Sequence, residues 1–216
     1  MPSVDIAGFI DHTLLKPDAT EKEIKKLCSE ASQYHFKSVC VNPIWVPLCA
    51  ELLREGTPLV CSVVGFPLGA TPMAAAEAQW VVERGAGEVD MVLPAGLLKS
   101  GDSRGTLNAV SAVVKSIPGI PVKVILETCL LNRREKHEGC LIAMDAGAAF
   151  VKTSTGFSTG GATADDIRLM RKAVGDSMGV KASGGIRTFA KALEMIEAGA
   201  SRIGASSSIA IVGGNK

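Results

Sequence analysis

Residues 149–185 read AFVKTSTGFSTGGATADDIRLMRKAVGDSMGVKASGG. A short apolar strand-like run enters a loop made almost wholly of Gly, Ser and Thr. Residues 163–174, TADDIRLMRKAV, then begin as a helix capped by Thr163, and GVKASGG supplies a second strand-like run. Strand, helix and strand in that order form the parallel unit of an α/β fold. The two strands carry Lys152 and Lys181 at corresponding points. An interior ammonium is costly unless it is paired or gives up its proton, so two such lysines call for an explanation.

The same unit recurs outward in both directions. Eight strand-like runs alternate with helical patterns: IDHTLL, SVCVNP, PLVCSVVGF, EVDMVLP, VKVILET, FVKTSTG, GVKASGG and RIGASSS. Residues 20–35 pair a Thr20 cap with Glu23 at the reciprocal position of a capping box, and residues 188–198 begin with a similar cap. Successive strands are separated by roughly 22 to 34 residues, the length of one strand, one helix and two short loops. Eight units predict a closed (β/α)8 barrel of the TIM type. No linker or low-complexity tract interrupts the chain, so residues 1–216 are expected to form a single domain.

Composition fits this reading and excludes several functions. The chain has 216 residues, 47% hydrophobic and 21% charged, enough for one sizeable core. A formal net charge of +1 without a basic run disfavours a nucleic-acid partner. Six cysteines without a CxxC pair read as reduced core thiols of a cytoplasmic protein. The three histidines lack metal-ligand spacing, so no metal is expected. The start, MPSVDIAGFIDH, does not resemble a signal peptide. Residues 57–76 are uncharged over a membrane-span length, but Pro58, Pro67, Pro72, Gly65 and Gly69 would break a helix there, so a buried strand and loop are expected instead.

Strands covered by helices on a barrel should be nearly all apolar, which makes their polar residues the functional candidates. These are Asp11, Asn42, Asp90, Lys123, Glu127, Lys152, Lys181 and the serines after Gly204. Barrel active sites lie at the C-terminal ends of the strands. Three late Gly/Ser/Thr runs, TSTGFSTGGAT, ASGGIR and GASSS, suit phosphate, with a short helix expected to begin at Ser206 or Ser207. Lys152 next to a second cation, Lys181, is disfavoured in its charged form, and a neutral amine attacks carbonyls to form a Schiff base. Asp90 is the candidate proton shuttle. Lys123 reads as structural, and Glu127 as a group that orders loop backbone. Together these features predict a sugar-phosphate aldolase without metal or cofactor.

The segments IDHTLLKPDAT, SVCVNP, VVGFPLGAT, EVDMVL, LKSGD, VKVILET, FVKTSTGFSTGGAT, IRLM, GVKASGGIRT and AGASRIGASS, in this order, resemble the deoxyribose-phosphate aldolase family of class I aldolases over nearly the whole chain. The resemblance implies reversible cleavage of 2-deoxy-D-ribose 5-phosphate to acetaldehyde and D-glyceraldehyde 3-phosphate. It implies Lys152 as the Schiff-base lysine, Lys181 as its perturbing neighbour, Asp90 as general acid/base and Asp11 near the relay. It also implies phosphate contacts at Gly156, Gly184, Gly185, Ser206 and Ser207, small sugar-phosphate and aldehyde partners, no membrane partner, and compatibility with a homodimer. The chain departs from the family pattern at several points. PMAAAEAQW after Thr71 is short and poor in charge, Cys129 stands where glycine is common, and Phe157 replaces a lysine, so phosphate affinity is expected to rest on backbone groups. The end at GGNK suggests no closure by a tail. Alternatives are another Schiff-base barrel, such as a transaldolase-like or keto-acid aldolase, and a noncatalytic sugar-phosphate binding barrel.

Overall fold

The structure, a computed structural model, describes residues 5–54 and 58–214. The expectations that rest on Met1–Val4, on Thr57 and on the final Asn215 and Lys216 fall outside these residues. Eight parallel strands close into a barrel in chain order: β1 (Ile10–Leu14), β2 (Ser38–Val41), β3 (Leu59–Val64), β4 (Glu88–Val92), β5 (Val122–Ile125), β6 (Phe150–Lys152), β7 (Gly179–Ser183) and β8 (Arg202–Ala205). β8 pairs with β1, with Asp11 opposite Gly204, so no strand edge is left open.

Helices cover the outside between strands: α1 (Glu21–Gln33), α2 (Val46–Leu52), α3 (Ala74–Val82), α4 (Ala95–Lys99), α5 (Ser103–Ser116), α6 (Arg133–Asp145), α7 (Ala164–Val174), α8 (Phe189–Glu197) and α9 (Ser208–Gly213). The expected capping box is present at α1, where Thr20 and Glu23 satisfy each other's backbone. Thr163 and Thr188 cap α7 and α8 by accepting from the amides of Asp166 and Lys191. The first helix ends at Gln33, two residues before the expected His35, which has positive φ. Nor does α9 begin at Ser206 or Ser207. Ser207 is its N-cap and Ser208 its first residue. Among the described residues no helix is long and apolar enough to cross a membrane.

Two faces of each strand do different work. Val89, Met91, Val122, Val124, Val151, Val180, Ala182 and Ile203 point outward into the large apolar core shared with the helices. Their alternate neighbours Glu88, Asp90, Lys123, Lys152, Lys181 and Arg202 point inward, where their side chains meet one another. Inside the barrel the apolar filling is a small cluster of Leu15, Cys40, Cys61 and Val63, with Phe66 against it. These charged residues of the strands therefore follow a period of two, and the barrel axis is filled largely by charge.

Candidate active site

The inward side chains form one buried ion network. Lys152 Nζ and Lys181 Nζ each lie 2.7 Å from the same oxygen, Asp90 Oδ2. The other Asp90 oxygen lies 2.9 Å from Lys123 Nζ and takes the Cys61 thiol at 3.1 Å. Lys181 also reaches Asp11 at 2.5 Å, and Lys123 reaches Glu88 at 2.8 Å. Arg202 closes the lower layer, 2.8 Å from Asp11 and 3.0 Å from Glu88. Four cationic side chains thus face three carboxylates, all of them buried.

Charge partners decide the ionisation of these groups. Burial alone would raise the carboxyl groups of Asp90 and Asp11, but the surrounding lysines, with Arg202 at Asp11, outweigh it and hold both below the usual carboxylate range. Burial opposes the charged form of Lys181, yet Asp11 and Asp90 hold its ammonium above the ordinary lysine range. Lys123 behaves likewise, with Asp90 its strongest partner. The network as drawn carries one positive charge too many. Lys152 bonds to one carboxylate alone, and of these groups it is the one that lines the open space at the C-terminal ends of the strands.

That space is a cavity of about 280 Å³ at the C-terminal ends of the strands. Lys152 lines it together with all three Gly/Ser/Thr runs: Thr155 and Gly156, then Ser183, Gly184 and Gly185, then Gly204 and Ser206. Of the expected phosphate contacts, Gly156, Gly184, Gly185 and Ser206 therefore share the wall. Ser207, the N-cap position of α9, does not line it. Gly184 adopts φ of 87°, and a Cβ on Gly161 would stand 2.4 Å from the Gly184 carbonyl oxygen. The two loops meet backbone to backbone, which only glycine permits.

Asp90, Lys181 and Asp11 lie beneath Lys152, fully buried, and do not touch the cavity. Lys123 sits near the start of its strand as expected, but its amine joins the cluster directly instead of remaining apart from it. Glu127 holds the loop after β6. It adopts a left-handed backbone at φ 55° and accepts the Thr155 amide at 3.2 Å and the Thr155 hydroxyl. Cys129 is exposed, unlike the other five cysteines, and approaches Ser158 at 3.3 Å. Phe157 packs edge-on against Phe66 at the cavity mouth. Sequence reading missed Glu88 and Arg202 as network members, and also Lys16 and Arg187, which are among the residues that line the cavity.

A closed parallel barrel with a lysine at the floor of a glycine-walled cavity suits the chemistry of the aldolases, the carbon–carbon lyases. The family model described as DeoC/LacD family aldolase matches residues 6–212, and the chain belongs to this family. It is 55% identical to the deoxyribose-phosphate aldolase of Carboxydothermus hydrogenoformans, over 98% of this chain and 96% of that one. It is 56% identical to the deoxyribose-phosphate aldolase of Thermococcus gammatolerans, over 99% and 98%. Among solved structures it resembles an aldolase named QR15, with a TM-score of 0.93, 38% identity and coverage of 97% and 95%. The tetrameric deoxyribose phosphate aldolase of Aeropyrum pernix gives a TM-score of 0.89, 37% identity and coverage of 96% and 89%.

Proposed function

We propose that this chain cleaves 2-deoxy-D-ribose 5-phosphate reversibly to acetaldehyde and D-glyceraldehyde 3-phosphate, with Lys152 as the Schiff-base nucleophile. The observation that carries the assignment of the lysine is the sharing of one Asp90 oxygen by two amines, of which Lys152 alone reaches the cavity. Loss of one proton from Lys152 leaves three cations against three carboxylates. The neutral amine then attacks the aldehyde carbon C1 of the open-chain sugar and forms a carbinolamine.

Expulsion of water from that carbinolamine takes up one proton and leaves a protonated imine. Lys181, held charged by Asp11 and Asp90, is the donor reservoir, and Asp90, which bridges it to Lys152, relays the proton toward the departing hydroxyl. The iminium takes over the positive charge that Lys181 gives up, at a nitrogen 2.7 Å from Asp90, so the carboxylate stabilises the charged intermediate in place. The C3 hydroxyl then gives up its proton to the same relay, recharging Lys181, the C2–C3 electron pair flows into the iminium, and glyceraldehyde 3-phosphate departs. Protonation of the remaining enamine at C2 and addition of water release acetaldehyde and the free amine. Here the protonated imine is the electron sink, the part a Lewis acid would otherwise take.

The phosphate is assigned to the wall formed by Gly156, Gly184, Gly185 and Ser206, with Lys16 and Arg187 at the same cavity. The cations supply charge where Phe157 stands in place of a lysine. A homodimer is supported by the exposed apolar side chains of Ile44, Leu68 and Met73 beside one another, and sedimentation of the purified chain checks it. The activity is tested by coupled detection of glyceraldehyde 3-phosphate released from deoxyribose 5-phosphate. Turnover that persists in excess chelator and disappears in Lys152→Leu is expected. Absence of product from the wild type, or full activity in Lys152→Leu, overturns the proposal.

A further inference from the structure

His12 is a buried titratable group that the proposed chemistry does not use. It lies in β1 between the inward-facing Asp11 and Thr13 and therefore points out of the barrel, toward the helices. There it stands between two side chains. Its Nε2 is 3.0 Å from Glu30 Oε2 on α1, and its Nδ1 is 2.9 Å from the hydroxyl of Ser208, the first residue of α9. Ser208 has no exposed surface and lies 2.9 Å from the Ala205 carbonyl, at the end of β8. Phe36 packs on the imidazole at 5.2 Å. Carboxylate, imidazole and hydroxyl in a row are the groups of a nucleophilic triad, but no substrate can reach a serine so enclosed.

The arrangement holds a turn. Ser206 lines the active cavity and Ser207 is the N-cap position of α9, so Ser208 lies two residues after the part of the wall assigned to phosphate. We propose that His12 is a positioning residue for the phosphate end of the substrate: through Ser208 it ties the turn between β8 and α9 to β1 and α1. This inference rests on the phosphate reading given above.

The hydrogen-bond chemistry supports a fixed strap. Burial disfavours the imidazolium and outweighs the Glu30 carboxylate, so His12 is held below the ordinary histidine range. A neutral ring has one N–H, and a carboxylate can only accept, so Nε2 carries the hydrogen and donates to Glu30. Nδ1 is then the acceptor, and the Ser208 hydroxyl donates to it. If the ring gains a proton, Nδ1–H donates to Ser208, whose hydroxyl turns to the Ala205 carbonyl. Besides Glu30 the charged group at this end is Lys26, 3.6 Å from Glu30. Every donor has an acceptor in both states, so the turn keeps its place across the working pH range.

The test is steady-state cleavage of 2-deoxyribose 5-phosphate and of unphosphorylated 2-deoxyribose by wild type, His12→Phe, His12→Asn and Ser208→Ala. His12→Phe and Ser208→Ala are expected to raise KM for the phosphorylated sugar roughly three- to tenfold, the range of one or two hydrogen bonds. Their kcat, and their kcat/KM for deoxyribose, should stay near wild type. The preference for the phosphorylated sugar falls by the same factor. His12→Asn, which can still meet Ser208 from the Nδ1 position, should recover most of that preference. Equal losses on both sugars, or an unchanged preference in folded His12→Phe and Ser208→Ala, overturn the inference alone. A wild type that treats the two sugars alike overturns the phosphate reading, and this inference with it. If His12→Phe fails to fold, Ser208→Ala and His12→Asn decide the matter by the same ratio.

Discussion

Lys181→Met removes the positive charge next to the proposed nucleophile. Because both amines lie 2.7 Å from one Asp90 oxygen, their nitrogens are no more than about 5.4 Å apart, twice that distance. At the effective dielectric constant of about 20 that suits such sites, two unit charges at this separation repel by about 3 kcal/mol. In the proposed mechanism that repulsion helps to expel the proton that Lys152 must lose before it attacks. Without Lys181 the network balances with Lys152 protonated, and the nucleophile is withdrawn. The expected loss in kcat/KM at pH 7 is on the order of a hundredfold, since about 1.4 kcal/mol corresponds to tenfold. The loss should shrink as the pH is raised toward 10, because hydroxide then removes the proton that Lys181 had helped to expel. Lys181→Arg, which keeps the charge, should lose less at pH 7. The assay is the pH profile of kcat/KM for each variant, with circular dichroism to confirm folding. A loss in Lys181→Met that is the same at pH 7 and pH 10, or no loss, refutes the electrostatic role.

Three further outcomes follow from the geometry. Gly161→Ala places a Cβ 2.4 Å from the Gly184 carbonyl oxygen, so the loops must separate, and KM for the phosphorylated substrate should rise at least several-fold with the melting temperature lowered. Arg202→Met touches no cavity atom but strips Asp11 and Glu88 of a buried partner. Calorimetry should show a loss of about 3–5 kcal/mol, roughly 6–20 °C in melting temperature for a chain of this size. Asp11 and Asp90 titrate below the unfolded carboxylate value of about 3.9, so their contribution to stability is complete above that value and is lost as the pH falls through their folded values. The melting temperature should therefore hold between about pH 7 and 5 and decline below about pH 4, and a flat profile down to pH 2 would contradict the assignment.

The barrel was legible because its evidence is local and repeated. Each strand is a short run rich in valine, isoleucine or cysteine, and caps such as Thr20, Thr163 and Thr188 mark where helices start. Lys152, Lys181 and Asp90 stood out because charge in a strand wrapped by helices has nowhere cheap to go. Glu88 and Arg202 obey the same logic but open their strands, where charge reads as solvated. The alternation Glu88, Asp90 in EVDMV was the available signal, since both must face one side. Which carboxylate meets which lysine depends on the shear of the closed barrel, and no single strand records it. The start of α9 was misplaced because three successive serines can each cap a helix. The choice of Ser207 accompanies the burial of Ser208 against His12, a contact 196 residues apart in sequence. Lys16 and Arg187 sit on loops, where a cation is ordinary until the cavity beside it is known.

The most direct measurement is borohydride reduction of the protein with acetaldehyde, followed by proteolysis and mass spectrometry of the peptides. The Schiff-base assignment predicts an ethyl group on Lys152 and none on Lys123 or Lys181, with trapping abolished in Lys152→Leu. An adduct on Lys181 with Lys152 unmodified, or no reducible adduct from a protein that releases glyceraldehyde 3-phosphate, would contradict it.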